Sequence, residues 1–129
     1  MREILKFKQV TGDYKVCGWD KEWRTVSGKH YICYPFFIHR DEHVFNAHSQ
    51  WVLTHMSSGA EICKTRNLLG AKYIATRLLP VPQFLLPHRE LVNAMSQATK
   101  QYCMNVISRY RDCTTKEIEN LDKYCPYSI

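Results

Sequence analysis

The sequence predicts an α+β fold, in which an N-terminal antiparallel β-sheet built from hairpins packs against two or three C-terminal helices. Two observations carry this. Residues 1–63 repeat short runs of β-branched and aromatic residues separated by turn-forming Gly, Asp and Ser. Residues 64–129 instead space their apolar side chains three and four apart, the helical period. At 129 residues the chain has the length of one domain, 1–129, because domains commonly run about 100–150 residues. No repeat, low-complexity tract or flexible linker divides it.

Residues 2–10 alternate, with Ile4 and Lys6 leaning one way and Leu5 and Phe7 the other. That pattern reads as a strand ended by a turn at Thr11-Gly12-Asp13. Residues 14–19 and 23–26 flank Asp20-Lys21-Glu22, a hairpin turn, and Ser27-Gly28-Lys29 reads as another turn. Residues 30–38 follow as a β-branched and aromatic run. Its Pro35 has no N–H for a ladder, so the strand lies at an edge or breaks there. Residues 39–49 are polar without a clear period, a loop or short helix. Met56-Ser57-Ser58-Gly59, between residues 50–55 and 60–63, is the best hairpin signal in the chain.

In the second half Leu68, Ala71, Ile74, Ala75, Leu78 and Leu79 mark a helix, with Thr65 as its N-cap. Pro80, Pro82 and Pro87 impose an extended connector whose Phe84, Leu85 and Leu86 pack on the core. Pro87 then opens the longest helix, 88–111, since its missing N–H is not needed at a first turn. Leu91, Met95, Ala98, Tyr102 and Val106 form its apolar stripe, which Cys103, Ile107 and Tyr110 widen. Thr114 and Glu117 make a capping box for a last helix, in which Ile118, Leu121 and Cys125 share a face before Pro126.

Composition excludes several classes. A hydrophobic content of 45% is incompatible with wholesale disorder. No run approaches the roughly 18 apolar residues that a membrane helix needs, and Glu3, Lys6 and Lys8 interrupt the N-terminal segment where a signal peptide is continuously apolar. The expectation is a cytoplasmic protein that does not engage a membrane. Cys17, Cys33, Cys63, Cys103, Cys113 and Cys125 are widely spread and read as reduced thiols.

The charge is +6, and its placement is more informative than its size. Arg66, Lys72, Arg77, Arg89, Lys100, Arg109 and Arg111 stand against one acid, Glu90, between residues 65 and 111, while elsewhere eleven bases and eleven acids cancel. An ordinary solvated helix mixes both signs. A basic helical face therefore points to an acidic partner, either nucleic acid, whose phosphates Lys and Arg neutralise, or an acidic protein surface. Trp19, Trp23 and Arg24 add a possible protein-contact patch, because Trp and Arg are common interface anchors.

Two constellations suggest chemistry. His39, His43, His48 and His55 fall within seventeen residues and offer imidazole ligands for a metal, but the chain has no Cys-x-x-Cys or His-Glu-x-x-His. Cys63 and His55 lie on strands that pair across the Met56–Gly59 turn, too far along the ladder for a direct hydrogen bond. No nucleophile elbow, P-loop or dinucleotide fingerprint is present. The reading leans against an enzyme and implies no cofactor. It favours a small non-enzymatic protein that binds nucleic acid through its basic helical face. The alternatives are a protein-binding inhibitor or adaptor, of the kind mobile elements encode, acting on a larger nucleic-acid-handling complex, and a metal-dependent enzyme using the His39–His55 segment.

Overall fold

A computed structural model describes residues 4–18, 20–41, 50–85 and 94–124, with side chains as far as residue 120. Five antiparallel strands come first: β1 (Lys8–Cys17), β2 (Trp23–Cys33), β3 (Phe36–Arg40), β4 (Trp51–His55) and β5 (Glu61–Thr65). They form one sheet in sequence order, a simple meander. Among the described residues three helices follow: α1 (Leu68–Leu78), α2 (Gln97–Tyr110) and α3 (Thr115–Tyr124), with a short 3-10 turn at Pro82–Leu85 between the first two. The α+β arrangement is the predicted one.

The β1–β2 hairpin departs from the predicted pattern. Thr11-Gly12-Asp13 and Ser27-Gly28-Lys29 do not end strands; Gly12 and Gly28 lie directly opposite each other within a continuous ladder. Both have positive φ, 155° and 158°, a region that L side chains rarely enter. Two such residues in register bend the whole hairpin instead of terminating it. Tyr14 lies four residues beyond Val10, the β1 partner of His30, which in a flat strand would be about 13 Å. Its ring nevertheless sits 4.7 Å from His30, 4.9 Å from His39 and 5.6 Å from Phe37. The outer half of the hairpin has doubled back across the sheet.

The tip of this arm docks at the other end of β4. Cys17 N–H donates to Gly59 O at 2.9 Å, and the Trp23 ring lies against Gly59. The docking buries Val16, Cys17, Phe37 and Val52. His39 closes the chamber in a single tautomer: Nδ1–H donates to Arg40 O at 2.9 Å, so Nε2 accepts from the Thr54 hydroxyl at 3.1 Å. His30 Nδ1 donates to Gly28 O at 3.1 Å and so holds the bend itself.

The opposite face carries the main core. Phe36, Ile38, Leu53 and Cys63 meet Ala71, Ile74, Ala75 and Leu78 of α1, and Cys103, Val106, Ile107 and Tyr110 of α2 with Ile118 of α3 close the far side. Each fully buried Ile, Leu or Phe contributes about 1.5–3 kcal/mol. Thr65 belongs to β5, opposite Trp51, so it cannot cap α1. Asn67 does, its Oδ1 accepting from Gly70 N at 3.0 Å while its Nδ2 donates to Cys113 O at 2.6 Å. Pro35 breaks the predicted 30–38 strand at a Tyr34–Pro35 turn with a cis peptide bond.

Helix α2 is shorter than the predicted 88–111 and starts at a Ser96 cap, whose Oγ accepts from Thr99 N at 3.1 Å. Its inward face is Cys103, Val106, Ile107 and Tyr110, while Ala98 is exposed and Met95 precedes the helix. Residues 86–93, including Pro87, Arg89 and Leu91, lie outside the described residues. The Thr114–Glu117 capping box forms as predicted: Glu117 N donates to Thr114 Oγ1 at 3.2 Å and Thr114 N to Glu117 Oε1 at 3.4 Å.

Gly59 gives the sharpest stability test. Its φ of 68° suits glycine, and a Cβ there would lie 2.5 Å from the Trp23 ring and 2.9 Å from Cys17 N. Gly59→Ala should cost more than about 2 kcal/mol in chemical denaturation, the left-handed backbone alone accounting for about 1–2. Adding Trp23→Ala should recover part of the loss, giving a non-additive pair. A neutral Gly59→Ala would show that the arm tip is not docked.

Candidate nucleic-acid interface

The predicted cations do not form one face. Arg66, Arg109 and Arg111 do come together, where the start of α1 meets the α2–α3 turn. Arg66 N–H donates to Arg111 O at 2.7 Å, and its guanidinium reaches Asp112 O at 3.5 Å. Cys113 Sγ–H donates to Arg109 O at 3.1 Å. Burial raises the Cys113 pKa and the carboxylates of Glu117 and Asp112 raise it further, while the charges of Arg109 and Arg66 oppose the rise. The backbones of the three arginines thus meet at one corner, where the charges of Arg66 and Arg109 act on Cys113 while that of Arg111 acts on Cys63. The nearest acids are Asp112, loosely paired with Arg111 at 4.0 Å, and Glu117, which is tied to the α3 cap.

Arg77 is a correction. It is 4% exposed, so it cannot contact a phosphate. It sits on the inward face of α1 beside Ile74 and Leu78, with its guanidinium 5.4 Å from the Tyr73 ring and 5.0 Å from the Tyr110 ring. Two aromatic faces supply the partly polar surroundings that a planar cation tolerates in a core. Lys72 lies on the sheet side, its Nζ 5.5 Å over the Tyr31 ring. Lys100 is one turn into α2, about 14 Å along the helix axis from Arg109. Arg89 lies outside the described residues.

Beside Lys72 is a strip that the sequence did not single out. Arg40 pairs with Trp51 across β3 and β4, and its guanidinium lies 4.9 Å over the indole. Tyr31 meets Trp51 edge to face at 6.0 Å. Lys29, one residue beyond the His30–His39 pair, continues the row next to Arg40. These side chains share the helix-facing side of the sheet with Ile38 and Leu53 but extend past the helices: Arg40 and Lys29 are exposed, Tyr31 and Trp51 half-buried. Thr65, opposite Trp51, leads directly to Arg66 and the arginine corner.

The histidine cluster does not assemble as predicted. His39 and His55 are both buried but lie on opposite faces of the sheet, because His39 pairs with Val52 and His55 is three residues further along β4. They cannot share a metal. Among the described residues no three His, Cys, Asp or Glu side chains gather for one; His43 and His48 lie outside that set. His55 instead ties three segments together. Its Nε2–H donates to Phe84 O at 2.7 Å and its Nδ1 accepts from the Ser58 hydroxyl at 2.7 Å, while Ser58 Oγ accepts from Ala60 N at 3.2 Å. Both ring nitrogens are therefore engaged away from Cys63, whose thiol pKa burial pushes up to about 12. A neutral, enclosed thiol is no nucleophile.

The predicted contact patch is partly placed. Trp23 is 51% exposed even as it rests on Gly59, and Arg24 is exposed on the same arm. Trp19 lies outside the described residues. Lys64 is removed from any basic face by its 3.0 Å pair with Asp41, which raises the Lys64 pKa through that hydrogen bond.

Two outcomes follow from this geometry. Arg77→Ala should destabilise the fold by about 2 kcal/mol or more, with Arg77→Lys rescuing little, since an ammonium lacks the planar face that packs against both rings. A change below about 0.5 kcal/mol would mean that Arg77 is a surface charge. Because the folded-state pKa of Cys63 lies above its unfolded value, its contribution to stability is complete below about pH 9 and declines as pH rises toward 12. Denaturation of wild type and Cys63→Val should therefore diverge only above about pH 9, and parallel curves across that range would refute the buried thiol. Compared with known proteins, the chain matches no family model, no curated protein and no solved structure.

Proposed function

We propose that the protein is a non-enzymatic nucleic-acid-binding protein that engages phosphates through Arg66, Arg109 and Arg111. The observation that supports this reading is the meeting of those three arginines at one corner of the helical layer, through the Arg66–Arg111 backbone bond and the bond from Cys113 to Arg109 O. Arginine presents a rigid fork of donors matched to phosphate oxygens. The corner stands on helix ends and a sheet edge, not on a long loop, so its geometry is fixed before a ligand arrives.

A second reading, a protein partner, draws on the exposed apolar side chains Trp23, Tyr34 and Leu85, which are 51%, 58% and 53% exposed. An inhibitor or adaptor that docks through Trp23 and Arg24 would leave the arginine corner unused.

Titration of a labelled oligonucleotide against salt separates the two. With three phosphate contacts, affinity should fall about 40-fold between 50 and 200 mM salt. Arg66→Ala and Arg111→Ala should each weaken binding and lower the salt slope by about one. Binding that ignores salt and both substitutions defeats the reading. Capture of a partner that survives nuclease treatment, and is lost with Trp23→Ala, supports the second.

A further inference from the structure

We infer that the Tyr31–Trp51 strip on the sheet is a base-stacking platform for single-stranded nucleic acid, beside the arginine corner. The inference rests on the nucleic-acid reading above and narrows it to one class of ligand. A duplex keeps its bases stacked on each other and offers mainly phosphates and groove edges to a protein surface. A single strand exposes base faces, and aromatic side chains bind those faces with little regard to sequence.

The strip has the two components that such binding needs. Tyr31 and Trp51 are half-buried rings set edge to face at 6.0 Å, anchored on their inner side against the main core. Cations flank each ring: Arg40 lies 4.9 Å over Trp51, Lys72 lies 5.5 Å over Tyr31, and Lys29 continues the row. Among the described residues none of these three cations is ion-paired with a carboxylate, although Arg40 reaches Gln50 Oε1 at 3.4 Å. A guanidinium held over an indole is itself a planar group on which a base can stack. A lysine on a flexible stem can swing from ring to phosphate.

The strip and the arginine corner are also neighbours. From Lys29 on β2 through Arg40 and Trp51 to Thr65 on β5, which is itself buried, the row crosses three interstrand spacings, about 14 Å. Arg66 and Arg111 begin where it ends. A strand whose bases lie on the sheet would thus carry its phosphates toward Lys29 and Arg40 at one end and the arginine corner at the other. Base contact and charge neutralisation fall to neighbouring but different side chains.

The test compares a fluorescently labelled oligothymidine of about twenty nucleotides with a duplex of the same length, at equal salt. Tyr31→Leu and Trp51→Leu keep apolar bulk under the strip while removing the rings, and circular dichroism confirms that each variant is folded. Each should weaken single-strand binding about 5- to 100-fold and leave duplex binding nearly unchanged. Lys29→Glu and Arg40→Glu, both at exposed positions, provide variants that do not touch the core and should lower both the affinity and the salt slope. Duplex bound as tightly as single strand, with the Leu variants unchanged but Arg66→Ala and Arg111→Ala weakened, would overturn the platform and leave the phosphate-binding reading standing. Failure of both oligonucleotides to bind, or binding of polyglutamate at equal affinity and with the same dependence on Arg40, would overturn both.

Discussion

The fold depends on one backbone constraint, the direct opposition of Gly12 and Gly28 in the β1–β2 ladder. Two residues without Cβ atoms, both at positive φ, allow a paired hairpin to turn back without losing its register. Everything on the non-helical face follows. The arm brings Tyr14 onto His30, His39 and Phe37, gives the buried imidazoles an aromatic enclosure, and carries Cys17 and Trp23 to the Met56–Gly59 turn. Without the bend those aromatic and polar groups would face water on an open sheet. With it, a five-stranded meander is covered on both sides although the helices lie on only one.

The helical side solves a different problem, the placement of cations near a core. Arg77 is taken inside against two tyrosines, Lys64 is paired with Asp41, and the backbones of Arg66, Arg109 and Arg111 meet at a corner. The strip of Arg40, Trp51, Tyr31 and Lys72 lies between these extremes, its rings anchored from below and its charges facing outward. One sheet face therefore grades from dry packing to a charged aromatic surface within a few strand spacings. The sharpness of that boundary comes from the short strands β3–β5, five residues each, which leave little length for the helices to cover.

Much of the fold was legible in the chain because local chemistry decided it. The Met56–Gly59 hairpin, the Asp20–Glu22 turn, the Thr114–Glu117 capping box and the change of period after residue 63 all rest on residues close in sequence. Gly12 and Gly28 were recognised as departures from regular backbone but misread as turns, since only their pairing distinguishes a bend from an end. Thr65 was assigned to the α1 cap because a β-strand and a cap both accept threonine there, and cross-strand pairing with Trp51 decided between them. The site was less legible. A cation stripe in sequence becomes a surface only when helix phase is known, and the Ser96 cap sets a phase that turns Ala98 out and centres the inward face on Cys103, Val106, Ile107 and Tyr110. Arg40 and Trp51 are eleven positions apart, joined across a segment whose composition carries no pairing signal, so their stacking belongs to the tertiary structure alone.

The docked arm also concentrates a hazard. An isolated two-stranded hairpin is marginal in water, so the outer half of β1–β2 owes its order to the Tyr14 ring contacts and to the few contacts at its tip. Should that tip detach, Tyr14, Val16, Phe37 and Val52 would become solvent-accessible at once, beside β-rich backbone able to recruit another chain. A latch a few residues wide at Cys17, Trp23 and Gly59 thus stands between this apolar, β-rich surface and a second chain.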